Sequence, residues 1–394
     1  MSARRILLAA AILVGGALGP AACTNSQAPG IPATTTASPV AADTKPATGT
    51  GQPFSVAAVA RFDEPWAMTF LPDGAALVTE RGGALFVVDP ATGDRTRVDG
   101  TPEVVAAGQG GLGDIALSPT FATSGLVYLS WVEAGEGDTS GAVVGRARLV
   151  GGASPRLDNL SVVWRQRPKV TGDGHFGHRI AVSPDGRHLF ISSGERQKMD
   201  PAQDLGGNLG EIVRLTLDGA PAPGNPFADR GGVSAEIWSL GHRNPLGLAF
   251  DAAGNLWSSE MGPLGGDEIN LILPGRNYGW PRVSNGSHYS GEGIPDHRPG
   301  DGFEAPKAWW NPSISPGSLM IYSGRMFDQW RGDAFVGALS GRALMRVDLA
   351  GTVAAQGDRW DMGARIRAVE EGPDGAIWLL EDGPGGRLLK LTAS

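Results

Sequence analysis

Four glycine-rich stretches hold polar side chains that a chain reversal alone does not require. The first, Gly108-Gln109-Gly110-Gly111-Leu112-Gly113, carries one long polar side chain, Gln109. The second, Gly172-Asp173-Gly174-His175-Phe176-Gly177-His178-Arg179, offers two imidazoles. A neutral imidazole suits proton abstraction because its ordinary pKa lies close to working pH. The third runs through Gly241-His242-Arg243-Asn244-Pro245, then Glu260-Met261-Gly262-Pro263, Asp267-Glu268 and Asn277-Tyr278-Gly279-Trp280. The fourth is Arg365 and Arg367, one residue apart in a strand-like run, so that side-chain alternation turns both to one face. Arginines beside a glutamine suit an anionic ligand. Each stretch also has a plainer reading: His175 as a surface-loop histidine, Arg243 as the exposed arginine of a capped turn, and the arginine pair as solvated strand charges.

Bringing such distant stretches together requires a fold that gathers loops. From Phe54 onward one local pattern returns, a turn built on Pro-Asp-Gly or a near relative followed by a short β-rich run. It occurs at Leu71–Gly74, Ser118–Pro119, Ser183–Gly186, Asp251–Gly254, Trp330–Asp333 and Gly372–Gly375. Proline presets φ for the turn and glycine supplies the positive φ that reverses the chain. One such turn would mean little in any β protein, but six at a spacing of roughly fifty to sixty residues predict repeated blades. The expected fold is therefore all-β, a six-bladed β-propeller of four-stranded antiparallel blades over residues 54–394. Its loops would converge at one end of a central channel.

Composition agrees. Sixty glycines and 29 prolines among 394 residues are too many for a helical protein, and 41% hydrophobic residues suffice for a core. The net charge of −8 comes with no basic run beyond the extreme N-terminus, so nucleic acid is not an expected partner. Arg4 and Arg5 precede an apolar run from Ile6 to Leu18 and then Gly19-Pro20-Ala21-Ala22-Cys23, which reads as an export signal. The expectation is a lipoprotein-type signal over 1–22, with Cys23 acylated and membrane contact only through that anchor. Simple cleavage to a free periplasmic protein is the alternative. Residues 23–53, rich in Ala, Thr, Pro, Ser and Gly, read as a flexible tether.

The succession HFGxR, EIWSLGHRNPLGLAF, EMGPLGGDEINLI, NYGWP, PSISP and RIRAVEEGPDG resembles the soluble PQQ-dependent aldose sugar dehydrogenases, the glucose/sorbosone dehydrogenase family. The resemblance runs in order from about Phe54 to the C-terminus and is most specific between Gly241 and Pro281. It implies oxidation of an aldose sugar to its lactone with PQQ and Ca2+. It also implies an external electron acceptor, since no CxxCH haem motif is present.

By the same resemblance His175 is the general base and Arg243 stabilises negative charge on the quinone. Gln109 and Asn244 hydrogen-bond cofactor or substrate, and Arg365 and Arg367 bind the cofactor's carboxylates. Gly262 and Pro263 lend carbonyls to calcium, and Glu268 with the Tyr278 carbonyl matches a second calcium site. Where the family places an aspartate directly before the base stands Gly174, with Asp173 one position earlier, so that Glu195 is a second candidate for orienting the imidazole. A family lysine is replaced near Ser323, leaving Arg325 as its substitute. Trp310, with Trp309, is a candidate to stack on the quinone, against the commoner fate of tryptophan in a core. His178 stands where the family has a small residue and receives no role. Two other classes compete: a calcium-dependent lactonase or hydrolase, which would need a ring of acidic and asparagine ligands in the channel, and a propeller that binds without catalysis.

Overall fold

A computed structural model describes residues 51–394; the expected leader, Cys23 and most of the tether lie outside the described residues. Six antiparallel sheets succeed one another as blades, each built on four strands; the second gains a fifth short strand, Val170–Thr171, and a separate two-stranded ribbon joins Leu264–Gly265 to Gly286–Ser287. Their innermost strands are Pro65–Phe70, Leu112–Leu117, Gly177–Val182, Pro245–Phe250, Pro316–Ile321 and Ile366–Glu371, and each packs against the next until the sixth meets the first. The ring closes because the N-terminal strand Phe54–Asp63 pairs with Pro384–Ala393 and supplies the outer strand of the last blade. The first and last described strands are thereby hydrogen-bonded to each other, which leaves no open sheet between the first and last blades.

All six repeated turns join an innermost strand to the second strand of its blade. The residue-four amide donates to the residue-one carbonyl in each, as in Gly74 to Leu71 (2.9 Å), Gly186 to Ser183 (2.8 Å) and Gly375 to Gly372 (2.9 Å). These turns occupy one end of the propeller. The chemical candidates occupy the other, at the starts of innermost strands and just past the ends of second strands.

At that functional end every blade carries a β-bulge. The register slips between Pro65 and Ala67, Leu112 and Ile115, Gly177 and Ile180, Pro245 and Gly247, Pro316 and Ser318, and Ile366 and Ala368. A bulge re-aims side chains that strict alternation would send into the blade. Here it frees Trp66, His178, Leu246 and Arg367 to line a common cavity. Hydroxyls of the second strands satisfy the amides this disturbs: Thr79 accepts from Ala67 (3.0 Å), Ser130 from Asp114 (2.7 Å) and Ser192 from Arg179 (3.0 Å). Between blades the core is aliphatic and aromatic, as in the cluster of Trp257, Ile269, Leu271, Leu319 and Val336.

Candidate active site

His175 sits on the loop entering the third blade's innermost strand, and Glu195 follows the end of the second strand of that blade. Glu195 Oε1 lies 2.5 Å from His175 Nδ1, while its Oε2 accepts the Met199 amide at 2.5 Å. Both residues are buried. Burial lowers the His175 pKa, and the Arg243 charge acts in the same direction, against the pull of Glu195. Burial also works to raise the Glu195 carboxyl, but the hydrogen bond and charge of His175 and the Met199 amide outweigh it and hold its pKa below the usual value. A neutral imidazole bonded to a carboxylate places its proton on Nδ1 and leaves Nε2 as a free acceptor. Asp173, the other sequence candidate for this duty, instead uses its carbonyl to accept the Gln109 amide (2.7 Å).

The loop is held under constraint. His175 has φ +52°, and Arg196, Gln197 and Met199 on the facing segment have φ of 60°, 58° and 62°. Such left-handed conformations cost about 1–3 kcal/mol each and persist where surroundings enforce them. Buried Arg196 is the enforcer: it donates to the carbonyls of Gly174 (3.0 Å), Ser140 (2.6 Å) and Gly172, and its guanidinium lies 3.8 Å from the Phe176 ring centre. A side chain at Gly194 would strike the His175 carbonyl at 2.2 Å, so the close approach of the two segments requires glycine there.

Arg243 shares with His175 and Glu195 a cavity of about 430 Å³, also lined by Pro263, Trp280 and Tyr289. Its side chain is buried, donates to the Met261 carbonyl (3.0 Å) and the Tyr289 hydroxyl (3.1 Å), and forms no ion pair among the described residues. Its Nε has no partner among the described residues. Asn244, fully buried beside it, accepts from the Gly177 amide (3.2 Å), and its Nδ2 is likewise unpartnered. Glu260 fixes the segment from below, taking the Arg243 amide on one oxygen and His242 Nδ1 (3.0 Å) on the other.

An adjoining cavity of about 450 Å³, which shares Tyr289 with the first, contains the remaining cations. Arg365 and Arg367 both turn to it, and both bind Asp382, at 2.7 and 2.8 Å. Burial would raise Asp382, but the Arg367 charge and the two arginine hydrogen bonds hold its pKa below the ordinary value. Arg81 lines the same wall and pairs with Glu64 at 2.7 Å. Gln109 closes one side and ties it to the His175 loop by accepting the His175 amide at 2.8 Å. Asp382, Arg81 and Glu64 carry no signal in the sequence analysis, because each is placed by strand register rather than by a motif.

Two sequence expectations are overturned by position. Trp310 ends the outermost strand Ala308–Trp310 of the fourth blade and lies in the inter-blade core with Trp257, Ile269 and Ile314, while Trp309 is 44% exposed and faces solvent. Neither lines the cavities, because an outermost strand is the farthest in its sheet from the channel. Trp310→Ala is thus expected to cost about 3–5 kcal/mol of unfolding free energy and leave ligand affinity unchanged, as denaturant melts and titration calorimetry will show. Arg325 is at the wrong end. It donates to the Pro373 carbonyl (2.8 Å) beside the sixth repeated turn, and Ser323 bonds Glu371 there, so neither replaces the missing lysine at the site.

Gly262 and Pro263 adjoin the cavity that holds His175. The Gly262 amide is held by Asp267 (2.8 Å), and neither residue's carbonyl accepts a hydrogen bond from the described residues. Beneath them a void of about 10 Å³, room for one small ion or water, is lined by Glu260, Glu268, Gly266 and Tyr278. Burial, and then the Glu260 charge, push the Glu268 carboxyl well upward. The Tyr278 hydroxyl is committed to the Leu271 carbonyl (2.5 Å) and its ring stacks on His242. Among the described residues no three His, Cys, Asp or Glu side chains converge as a metal cage.

Comparison with known proteins points the same way. Residues 62–390 match the family described as Glucose / Sorbosone dehydrogenase. Aldose sugar dehydrogenase YliI of Escherichia coli (strain K12) is 40% identical over 339 residues, covering 84% of this chain and 91% of the relative. The crystal structure of the soluble aldose sugar dehydrogenase from Escherichia coli in the apo-form superposes with a TM-score of 0.82 at 39% identity, over 86% of this chain and 100% of that one. The PQQ-bound form of an aldose sugar dehydrogenase from Streptomyces coelicolor does so with a TM-score of 0.73 at 32% identity, over 86% and 98% of the two chains. A six-bladed propeller that brings a buried histidine, a guanidinium without an ion pair among the described residues and a cationic cavity to one mouth is, with these relatives, an oxidoreductase of the sugar dehydrogenase class. The chain belongs to the Glucose / Sorbosone dehydrogenase family.

Proposed function

We propose that this protein oxidises aldose sugars at C1 to lactones, with PQQ and calcium as cofactors, and passes the electrons to an external acceptor. The observation that supports this reading best is His175, locked by Glu195 so that Nε2 is the free basic atom, in one cavity with an arginine that lacks a counter-ion. The residues fit the cofactor. The cationic cavity, about 450 Å³, is within the range of small-molecule sites, and its guanidinium groups suit carboxylates. Arg243 Nε and Asn244 Nδ2 are buried donors awaiting an acceptor, a state that costs about 1–3 kcal/mol per group until one arrives.

PQQ supplies an ortho-quinone that accepts the electrons of the oxidised sugar. Arg365, Arg367 and Gln109 would hold its anionic edge. His175 Nε2 takes the proton of the anomeric hydroxyl, and Glu195 stabilises the resulting imidazolium. Arg243 sets a fixed positive charge in a poorly hydrated site, where preorganised charge is most effective. Calcium would rest on the carbonyls of Gly262 and Pro263, as a hard cation accepts such oxygens, with Glu268 and the Tyr278 carbonyl holding a second ion. We further propose that the enzyme works outside the cytoplasm, anchored through Cys23. The hydrolase alternative lacks its ring of acidic ligands among the described residues.

Reconstitution tests the reading. Purified protein given PQQ and calcium is expected to reduce a dye in the presence of aldoses, and a calcium chelator added beforehand should abolish the activity. A protein that takes up no PQQ under these conditions has some other function. The pH profile tests the base. Because burial dominates and keeps His175 neutral, activity is lost only as pH falls through its lowered pKa, so the acid limb of kcat/KM is expected below 6.5, the ordinary histidine value. Glu195→Gln removes the main influence raising that pKa and should move the limb lower still; a limb above 6.5 would contradict the burial account.

A further inference from the structure

His178, which the sequence left without a role, lies on the wall of the cationic cavity beside Trp66, Gln109 and Arg367. Its ring stacks on Trp66 with centroids 4.8 Å apart and planes 14° from parallel. The one hydrogen bond of the ring joins Nδ1 to Ser130 Oγ at 2.8 Å. That same Oγ already accepts the Asp114 amide at 2.7 Å, and its hydroxyl proton has no acceptor among the described residues except His178 Nδ1. Ser130 is therefore the donor, Nδ1 the acceptor, and the proton of the neutral imidazole sits on Nε2. Burial, helped by the Arg179 charge, lowers the His178 pKa to about 3, so the ring stays neutral and keeps that tautomer through the physiological range.

The surroundings are fitted to this ring. A side chain at Gly113 would meet His178 Cε1 at 2.0 Å, so the imidazole occupies space that only glycine leaves. The bulge between Gly177 and Ile180 turns the residue toward the cavity rather than into the blade. A buried aromatic platform with a fixed N–H that has no acceptor among the described residues is a recognition element for a flat ligand rich in acceptor atoms.

We infer that His178 binds the quinone cofactor of this enzyme, its Nε2–H donating to an acceptor atom of the ligand and its ring, packed on Trp66, forming part of the wall. The inference rests on the assignment of this cavity to PQQ. It makes His178 a cofactor-binding residue added to the arginines and Gln109, and Ser130 the residue that sets its tautomer.

Titration calorimetry of the purified protein with PQQ and calcium, together with the visible spectrum of the bound quinone, tests it. His178→Phe keeps an aromatic ring on Trp66 and removes the donor; it is expected to bind PQQ about tenfold or more weakly and to shift the absorption band. His178→Gln restores an N–H donor and should recover most of the affinity. Ser130→Ala leaves the imidazole in place but frees its tautomer, and should weaken binding by a smaller factor, which serves as the deciding variant should His178→Phe fold poorly. Wild-type affinity and spectrum in His178→Phe, or in Ser130→Ala where that variant decides, overturns the inference alone, as does equal loss in the Phe and Gln variants. Failure of the wild type to bind PQQ overturns the cavity assignment as well.

Discussion

Replacing His175 with asparagine is expected to lower the sugar-dependent rate by about 10²–10⁴-fold while PQQ binding survives. Asparagine is the informative choice because it tolerates the left-handed backbone that His175 adopts at φ +52°, so the loop keeps its shape. It also cannot act as a base. The hydrogen bond from the residue-175 amide to Gln109, at 2.8 Å, is a backbone bond and remains. The loss should therefore fall on kcat, with KM for the sugar and affinity for PQQ changed little. Stopped-flow reduction with a good aldose substrate, alongside calorimetric PQQ titration, separates the two. Should the variant turn over within tenfold of wild type, the proton goes to another group and Nε2 of His175 is not the base.

The fold could be read from local chemistry. Each Pro-Asp-Gly turn is specified by residues within four positions, and the same turn hydrogen bond closes at Leu71, Ser183 and Gly372. The site's location was legible wherever a short motif marks a residue that the fold brings to the two cavities, as at His175, Arg243 and Gln109. It was illegible where a contact depends on pairing between strands. Asp382 reaches Arg365 and Arg367 because it leaves the second strand of the sixth blade opposite the loop that begins the first strand; Glu195, which the family resemblance offers as a second candidate, reaches Nδ1 for the same reason in the third blade. Alternation correctly put both arginines on one side but said nothing of the bulge at Arg367, nor of the acid that offsets part of their charge. For Trp310 and Arg325 residue type suggested a cofactor contact, and the place of each in its blade decided otherwise.

Arg243→Met is expected to reduce kcat by about 10²–10³-fold, the usual cost of removing a preorganised charge from the place where charge develops. Methionine keeps the unbranched apolar stem against Trp280, whose ring centre lies 5.3 Å from the guanidinium carbon, and deletes only the cation. The distinguishing feature is stability. A guanidinium that is buried, unpaired and short of one hydrogen bond is a poor contributor to folding, so its replacement by an apolar side chain should leave the unfolding free energy within about 1 kcal/mol of wild type or raise it. A residue kept for architecture would behave the opposite way, with the melt moving down and kcat following it. Denaturant unfolding of the variant beside its kcat thus tells the two apart. Full turnover in a folded Arg243→Met protein would mean that the lone cation facing His175 serves no step of the oxidation.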